Sequence, residues 1–368
     1  MRRLMTAVGF VLCALLWCCA SVDSELNYRF ITHEPGAIDL WPCFAPDGKT
    51  ILFSRSMDKG RTWELLVVRA SGGEPRRLAA APLPVSATRA NWSKANGLIA
   101  FTGEASAGGT SLWLIHSDGS EPRRIEATGL SDRVFYPSWY PTGERLALVD
   151  FGGGEGGVVK QVDLAGDAAT PLTSRHEVLA GMPRVSPDGN WIVFAGQENR
   201  GQAYDQTKNT IWLRDDSGKL HALDSKQGRA PAWSADGEWL AFESDRDSPE
   251  HLYAIFIARR TGGAMTRITP HALNANHPAW SPDGKLVVLS GQHPDDRDST
   301  CGLKCPRGLV IVDVRGLRPG RNAPRPEDDG QPAATSSSSG LKASRATSSS
   351  RSTRNARASD SAHSGSRK

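Results

Sequence analysis

Side chains able to do chemistry are few in this sequence and form no recognisable catalytic set. No Gly-x-Ser-x-Gly segment occurs, so the nucleophile turn of α/β serine hydrolases is missing. Two acidic runs, Asp245-Arg246-Asp247 and Asp295-Asp296-Arg297-Asp298, offer the oxygen ligands that calcium takes, but neither continues into an EF-hand loop. The sequence therefore predicts no cofactor. A channel-bound divalent cation such as calcium stays open, with solvated turn acids as the simpler interpretation.

The cysteines suggest one small cross-link. Cys301 and Cys305 have three residues between them and lie in a loop-like stretch. They either close a disulfide in an oxidising compartment or remain unpaired thiols. One such pair falls short of the four ligands of a closed zinc site. Cys43 stands among apolar residues and is interpreted as a small buried hydrophobe.

A sixfold repeat sets the elements that must position these side chains. One aromatic or apolar position recurs at steps of 48, 47, 46, 48 and 47 residues: Phe44, Trp92, Trp139, Val185, Trp233 and Trp280. In each copy a turn, Pro-Asp-Gly in its fullest form, separates short apolar runs, which predicts four strands per copy and no helix. Stacking such sheets radially in a closed ring buries their faces. The sequence predicts an all-β fold, a six-bladed β-propeller of four-stranded antiparallel blades over residues 28–317. An open β-solenoid is the alternative.

The closure of this ring can also be predicted. The sixth copy reaches residues 309–314 and then runs into Arg318-Pro319-Gly320 without a fourth strand. Residues 28–32, before the first copy, resemble the fourth strand of another copy, Arg267-Ile268-Thr269. We expect the N-terminal strand to complete the last blade.

The two ends of the chain differ from the repeats. Residues 1–24 have a positive start, a short apolar run and small residues after it, which predicts a cleaved signal peptide. The alternatives are an uncleaved anchor and lipid attachment at Cys18 or Cys19. Residues 318–368 are rich in Ser and Arg and predict a disordered tail, which either touches anionic envelope polymers or has no role. The expected location is periplasmic or secreted, with no stable membrane span in the mature chain.

Charge argues against a nucleic-acid partner. The net charge is +4, and residues 318–368 carry ten Lys or Arg against four Asp or Glu. The rest of the chain is therefore close to neutral or slightly acidic, unlike a nucleic-acid face.

Two stretches, Pro278-Ala279-Trp280-Ser281-Pro282-Asp283-Gly284-Lys285 and Gly72-Gly73-Glu74-Pro75-Arg76-Arg77-Leu78, resemble the propeller repeats of the TolB family. The repeats are also similar to those of prolyl-oligopeptidase-like peptidases and some pectin-degrading lyases. The TolB resemblance implies a bacterial periplasmic protein whose propeller docks a peptidoglycan-associated lipoprotein. TolB proper has an α/β domain ahead of its propeller. Here the repeats begin almost directly after the signal, so we expect that domain to be lacking.

Five residues are candidates for a binding site. They precede the first-strand proline of a copy or lie just upstream of its equivalent, and are Trp41, Arg89, Tyr136, Met182 and His277. Since innermost strands line the channel of a propeller, we expect these side chains to rim one of its mouths and hold a ligand. In the alternative, the apolar ones plug the channel and His277 is an exposed loop residue.

These observations predict a monomeric, non-enzymatic binding or scaffold propeller of the cell envelope, with an envelope protein as partner. The alternative is a propeller enzyme of lyase or hydrolase type with its site in the central channel.

Overall fold

The computed structural model describes residues 26–154, 156–224, 226–294 and 305–317. The signal peptide predicted for residues 1–24, the tail predicted for 318–368, the acidic run at 295–298 and Cys301 lie outside the described residues. Cys305 is disulfide-bonded. Its pairing with Cys301 stays a prediction.

The described residues form six sheets of four antiparallel strands, one for each copy of the repeat. The innermost strands are β2 (Ile38–Phe44), β6 (Ser86–Trp92), β10 (Val134–Trp139), β14 (Val178–Val185), β18 (Arg229–Trp233) and β22 (Asn276–Trp280). The second strands are β3 (Thr50–Ser56), β7 (Leu98–Glu104), β11 (Arg145–Asp150), β15 (Ile192–Glu198), β19 (Trp239–Ser244) and β23 (Leu286–Gly291). The third strands are β4 (Glu64–Arg69), β8 (Thr110–His116), β12 (Val158–Asp163), β16 (Thr210–Arg214), β20 (Ala254–Arg259) and β24 (Gly308–Asp313). The outermost strands are β5 (Arg76–Arg77), β9 (Arg123–Ile125), β13 (Ala169–Pro171), β17 (Leu220–Ala222), β21 (Met265–Arg267) and β1 (Tyr28–Phe30).

The sheets close into a ring. Each innermost strand contacts the innermost strands of the blades before and after it, and β22 of the sixth blade contacts β2 of the first. Two short 3-10 turns, Gln206–Lys208 and His271–Leu273, are the helical elements of the described chain. No described helix has the length and hydropathy that a membrane span needs. The predicted all-β, six-bladed propeller is confirmed.

The repeat's turn has a specific hydrogen-bond pattern. In the sixth blade, the Ser281 hydroxyl donates to Asp283 (2.7 Å) and accepts from the backbone N–H of Leu286 (2.9 Å). Gly284 follows with φ of 68°, a conformation that costs glycine little. This Ser-x-Asp-Gly turn therefore joins the end of the innermost strand to the start of the second strand by hydrogen bonds.

The N-terminal strand completes the sixth blade, as predicted. β1 pairs antiparallel with β24, with Tyr28 opposite Val312. Just beyond it, the Thr32 hydroxyl donates to Asp39 (2.6 Å) and accepts from the backbone N–H of Leu309 (2.8 Å). The first and last segments of the propeller are therefore joined both by strand pairing and by a buried side chain.

The core lies between neighbouring blades. A phenylalanine stands at the same place in four of the second strands, and each one is fully buried: Phe53, Phe101, Phe194 and Phe242. Burying such a side chain contributes about 2–3 kcal/mol to stability. Because each blade buries its faces on its neighbours, the innermost strands are held in fixed positions around the axis.

Candidate functional site

Every innermost strand interrupts its pairing with the second strand at one point. In β2 the register shifts between Leu40 and Cys43, and the other five innermost strands shift at the matching position. The first unpaired residue of each bulge has φ between 45° and 57°. These six residues, named here the bulge ring, are Trp41, Arg89, Tyr136, Met182, Ala230 and His277. A left-handed conformation costs a non-glycine residue about 1–2 kcal/mol, so the surrounding blades must hold it in place.

The bulge ring contains all five candidates from the sequence, together with Ala230. Trp41, Tyr136 and His277 are buried, at 8%, 8% and 6% exposure. The Trp41 indole N–H donates to His277 Nε2 (3.0 Å) across the junction between the first and sixth blades. The Arg89 guanidinium lies 4.3 Å from the centre of the Trp41 ring and 5.0 Å from that of Tyr136. These side chains therefore contact one another from blade to neighbouring blade. The alternative that His277 is an exposed loop residue is wrong, because it is buried within β22.

The bulge ring divides each innermost strand into two parts. We call the residues before the bulge ring, together with the side chains that contact them, the leading half. We call the residues after it, up to the turn, the trailing half. In the leading half, Glu243 is fully buried and forms an ion pair with Arg229 (3.0 Å). The same carboxylate accepts from the backbone N–H of His277 (2.9 Å) and from the Asn276 side chain (3.3 Å). Burial acts to raise the pKa of Glu243, but Arg229 and His277 outweigh it and the pKa is lowered.

Two more arginines of this half are paired with acids. Arg55 donates to the buried carboxylate of Asp39 at 2.7 Å. Arg89, in the bulge ring, contacts Glu104 at 2.6 Å. A buried charge is costly unless a partner compensates it. These three arginines and their acids therefore form compensated structural pairs.

His277 is neutral at ordinary pH. Its Nε2 accepts from the Trp41 indole, which can only donate, so the proton of the neutral ring is assigned to Nδ1. This Nδ1 is buried without a hydrogen-bond partner among the described residues. Burial lowers the pKa of His277 to about 3, although Glu243 pulls it upward. A histidine whose pKa is about 3 and whose acceptor nitrogen already holds a hydrogen bond is too weak and too hindered to act as a general base.

The trailing half contains a cavity of about 180 Å³ on the propeller axis. All six innermost strands contribute equivalent residues to it, so these strands run in the same direction around the axis. Its floor is five members of the bulge ring: Trp41, Tyr136, Met182, Ala230 and His277. Its walls include the repeated aromatic position and a neighbouring tyrosine: Phe44, Trp92, Trp139, Tyr140, Trp233 and Trp280. No Asp or Glu is among the described residues that line it.

The Trp residues of the wall also join the blades. Trp139 donates its indole N–H to the Asn91 carbonyl (3.0 Å), and Trp233 donates to the Arg184 carbonyl (3.0 Å). Each bond runs from one blade to the blade before it. The repeated Trp is therefore a structural link whose ring face also lines the cavity.

Arg184 is a charged residue of this wall that sequence reasoning missed. It stands two positions after the bulge, where the other blades carry Cys43, Asn91, Ser138, Ala232 and Ala279. Its guanidinium donates to the Pro183 carbonyl (2.9 Å) and lies 5.9 Å from the centre of the Tyr136 ring. It is half-buried, it has no carboxylate partner in the described chain, and burial lowers its pKa. The signal was available, because Arg184 is the one charged residue at this position of the repeat.

The other reactive group of the wall is Cys43, a free thiol that is half-buried. Burial raises its pKa to about 11, so the thiol stays protonated and is a weak nucleophile. No group of three or more metal-ligating side chains occurs among the residues that the structure describes. The described part of the cavity is suited to binding a ligand that brings its own negative charge.

Known proteins resemble this chain in sequence over part of their length. No family model matches it. An uncharacterized peptidase of Bacillus subtilis, YuxL, is 29% identical over 126 residues, which are 32% of this chain and 19% of that protein. The uncharacterized protein Atu1656 of Agrobacterium fabrum is 31% identical over 157 residues, 39% of this chain and 50% of that protein. The chain thus spans half or less of these relatives.

Solved structures resemble it over most of its length. A putative TolB from Agrobacterium tumefaciens is 18% identical with a TM-score of 0.56, covering 77% of this chain and 93% of that one. TolB from Acinetobacter baumannii is 17% identical with a TM-score of 0.53, covering 84% and 69%. An oligogalacturonate lyase from Vibrio parahaemolyticus is 11% identical with a TM-score of 0.51, covering 80% and 95%. At such identities the likeness concerns the fold, and in its fold the chain is a TolB-like six-bladed β-propeller.

Proposed function

We propose that this chain is a non-enzymatic binding or scaffold propeller of the cell envelope that holds a partner protein at the cavity of the trailing half. The observation that carries the proposal is the composition of this cavity. It is concave, lies on the axis and is walled by aromatic rings, as ligand pockets are. Its one thiol is held protonated, and His277 is held neutral with Nε2 occupied.

The envelope location is supported by the sequence. Residues 1–24 have the pattern of a signal peptide, and the repeats resemble those of the periplasmic TolB family. By the same resemblance, the partner is an envelope protein, with a peptidoglycan-associated lipoprotein as the first candidate. The disulfide at Cys305 agrees with an oxidising compartment.

The test is affinity capture of the full chain, expressed with its own signal in its native envelope. Ala279→Leu fills the cavity from its wall without removing a charge, and Ala165→Leu makes the same change at an exposed loop residue. We expect an envelope protein to be captured by the unaltered chain and by Ala165→Leu, and to be lost with Ala279→Leu. Equal capture by all three chains would place the binding surface elsewhere and contradict the proposal.

The alternative is a propeller enzyme of lyase or hydrolase type with its site in the channel. It draws on the likeness in fold to an oligogalacturonate lyase and the partial match to a peptidase. Metal analysis of the purified chain, with and without added calcium or manganese, separates the two. One tightly held equivalent of metal together with bond cleavage in an oligogalacturonate or peptide assay would favour the enzyme.

A further inference from the structure

We infer that the cavity of the trailing half is a receptor for a carboxylate, supplied by the free C-terminus of an extended peptide segment, and that Arg184 binds it. This inference rests on the proposed function and names the chemistry of its ligand. The guanidinium stands in the cavity wall with one hydrogen bond to the Pro183 carbonyl and no acid partner among the residues that the structure describes. Arginine offers five N–H donors in a planar fork that matches a carboxylate, so most of its donors are left for a ligand.

The arginines of the leading half show what is missing around Arg184. Arg55, Arg89 and Arg229 each contact a carboxylate at 2.6–3.0 Å. The charge of each of these three arginines is therefore compensated by an acid. Leaving a partly buried charge uncompensated is unfavourable, and an anionic ligand would remove that cost.

The fourth blade departs from the repeat at two adjacent positions. Arg184 replaces a small or neutral residue, and the next residue, Val185, replaces the aromatic residue of the other five blades. A purely structural role does not explain Arg184 and Val185, because every other blade forms without an arginine and a valine at these positions. A smaller neighbour leaves room beside the one charged side chain at that level of the wall. The two changes together indicate a specialised position in an otherwise symmetrical ring.

Charge around the cavity is one-sided. Its described lining holds two cations, Arg184 and the exposed Lys94 at the rim, and no Asp or Glu. The rest of the wall is mostly aromatic and aliphatic, with the neutral polar residues Asn91 and Ser138 and with proline at the rim. An anion on an apolar body complements this composition better than a neutral or cationic ligand.

Size points to the end of a chain. A cavity of about 180 Å³ is below the range of roughly 300–1,000 Å³ that holds a whole drug-sized ligand. It therefore suits a terminal group and one or two side chains, while the remainder of the ligand lies outside the mouth.

The polar groups of the wall favour a peptide over an acidic sugar. The Ser138 hydroxyl accepts from Val185 N, and the Asn91 amide oxygen accepts from Trp139 N. The rim hydroxyls of Ser234 and Ser281 are engaged within their own turns. A sugar ring would bury hydroxyls with few partners left to satisfy them, which is costly. A peptide end with an apolar side chain brings fewer such groups.

The experiment uses the purified full chain and a random hexapeptide pool, prepared once with free C-termini and once with amidated C-termini. Retained peptides are identified by mass spectrometry, and one of them is resynthesised as acid and as amide for calorimetry. We expect retention from the acid pool and roughly tenfold or tighter binding of the acid than of its amide. Arg184→Gln should reduce binding of the acid to the level of the amide. Arg123→Gln, the same change at an exposed residue of β9, should leave it unaltered.

Several results would overturn the inference. These are equal retention from the two pools, retention from neither, or acid binding that survives Arg184→Gln. Saturable binding of a galacturonate oligosaccharide that depends on Arg184 would support a carboxylate ligand, but it would contradict the inference that the ligand is a peptide. If Arg184→Gln fails to fold, the comparison of acid and amide on the unaltered chain still decides.

Failure here is distinguishable from failure of the proposed function. Capture of an envelope protein that is lost with Ala279→Leu, together with equal binding of acid and amide, would leave the binding module intact and remove the carboxylate. Loss of both results would remove both.

Discussion

The leading and trailing halves of the innermost strands face each other across the bulge ring, yet they treat charge in opposite ways. Glu243 and Arg229 are both buried in the leading half, where each compensates the other. In the trailing half, Arg184 has no acid partner in the described chain and lines a cavity. The same fold thus holds a network that stabilises the ring next to a wall that keeps a cation available. Pairing with an acid, more than burial, distinguishes Arg55, Arg89 and Arg229 from Arg184.

The largest effect on stability should come from removing the N-terminal strand β1, which completes the sixth blade. A chain that begins at Glu34 loses β1, the buried Ile31 and the contact between Thr32 and Asp39. We expect the free energy of unfolding to fall by about 5 kcal/mol or more, measured by urea denaturation. A chain that begins at Tyr28 is the control. If the two chains have the same free energy of unfolding, β1 does not stabilise the closed ring.

Glu243→Gln should be the next most damaging change. It leaves the buried Arg229 without its counter-charge while keeping the shape of the side chain. We expect a loss of about 3–5 kcal/mol in the free energy of unfolding. Glu238→Gln removes an exposed acid, whose contacts with arginine are 3.8–3.9 Å, and should cost less than about 1 kcal/mol. Similar losses for the two variants would show that the leading network is not specially important.

Acid should lower the free energy of unfolding through protonation of His277 in the bulge ring. Its pKa is about 3 in the folded chain, below the usual 6.5, so the unfolded chain binds the proton first as the pH falls. The stability that comes from keeping His277 neutral is thus present above pH 6.5 and is lost as the pH drops towards 3. Between pH 7 and 4.5, His277→Gln should lose about 2–3 kcal/mol less than the unaltered chain.

The measurement is urea denaturation at both pH values, with His251→Gln as the control at an exposed histidine. An equal loss in the unaltered chain and His277→Gln would mean that His277 is not the titrating group.

Arg184→Gln should have the smallest effect on stability. Because its charge has no acid partner in the described part of the chain, removing it should change the free energy of unfolding by less than about 1 kcal/mol, in either direction. Thermal melting and urea denaturation would measure this against Arg123→Gln. A loss as large as that of Glu243→Gln would make Arg184 a structural residue and erase the difference between the two halves.

The repeat allowed most of the fold to be predicted. The period predicted the six blades, the Pro-Asp-Gly turns predicted the hairpins, and the missing fourth strand of the last copy predicted the position of β1. These are local patterns, and the hydrophobic effect turns them into blades in the same way each time. Four of the candidate residues were located by the proline that follows them, and Arg89 by its place just upstream of the equivalent position. They share the bulge that the structure shows.

The site itself was less accessible. Ala230 was passed over because alanine carries no chemistry, although it precedes Pro231 in the same way as the others. Arg184 is not among the candidates because it follows Pro183, whereas the candidates precede the proline or its equivalent. The ion pairs that set it apart, such as Arg229 with Glu243, join residues from different strands. One sequence gives no measure of such pairing, because it depends on distance in space.

The bulge ring also bears on how such a protein diversifies. Six residue types as unlike as Trp, Arg, Tyr, Met, Ala and His occupy it with φ values within 12° of one another. The main chain therefore accepts very different side chains there without rearrangement. Repeated duplication of one ancestral blade would supply six equivalent positions, and each can then mutate independently. A lineage can thus exchange what its channel recognises one blade at a time while the scaffold stays the same.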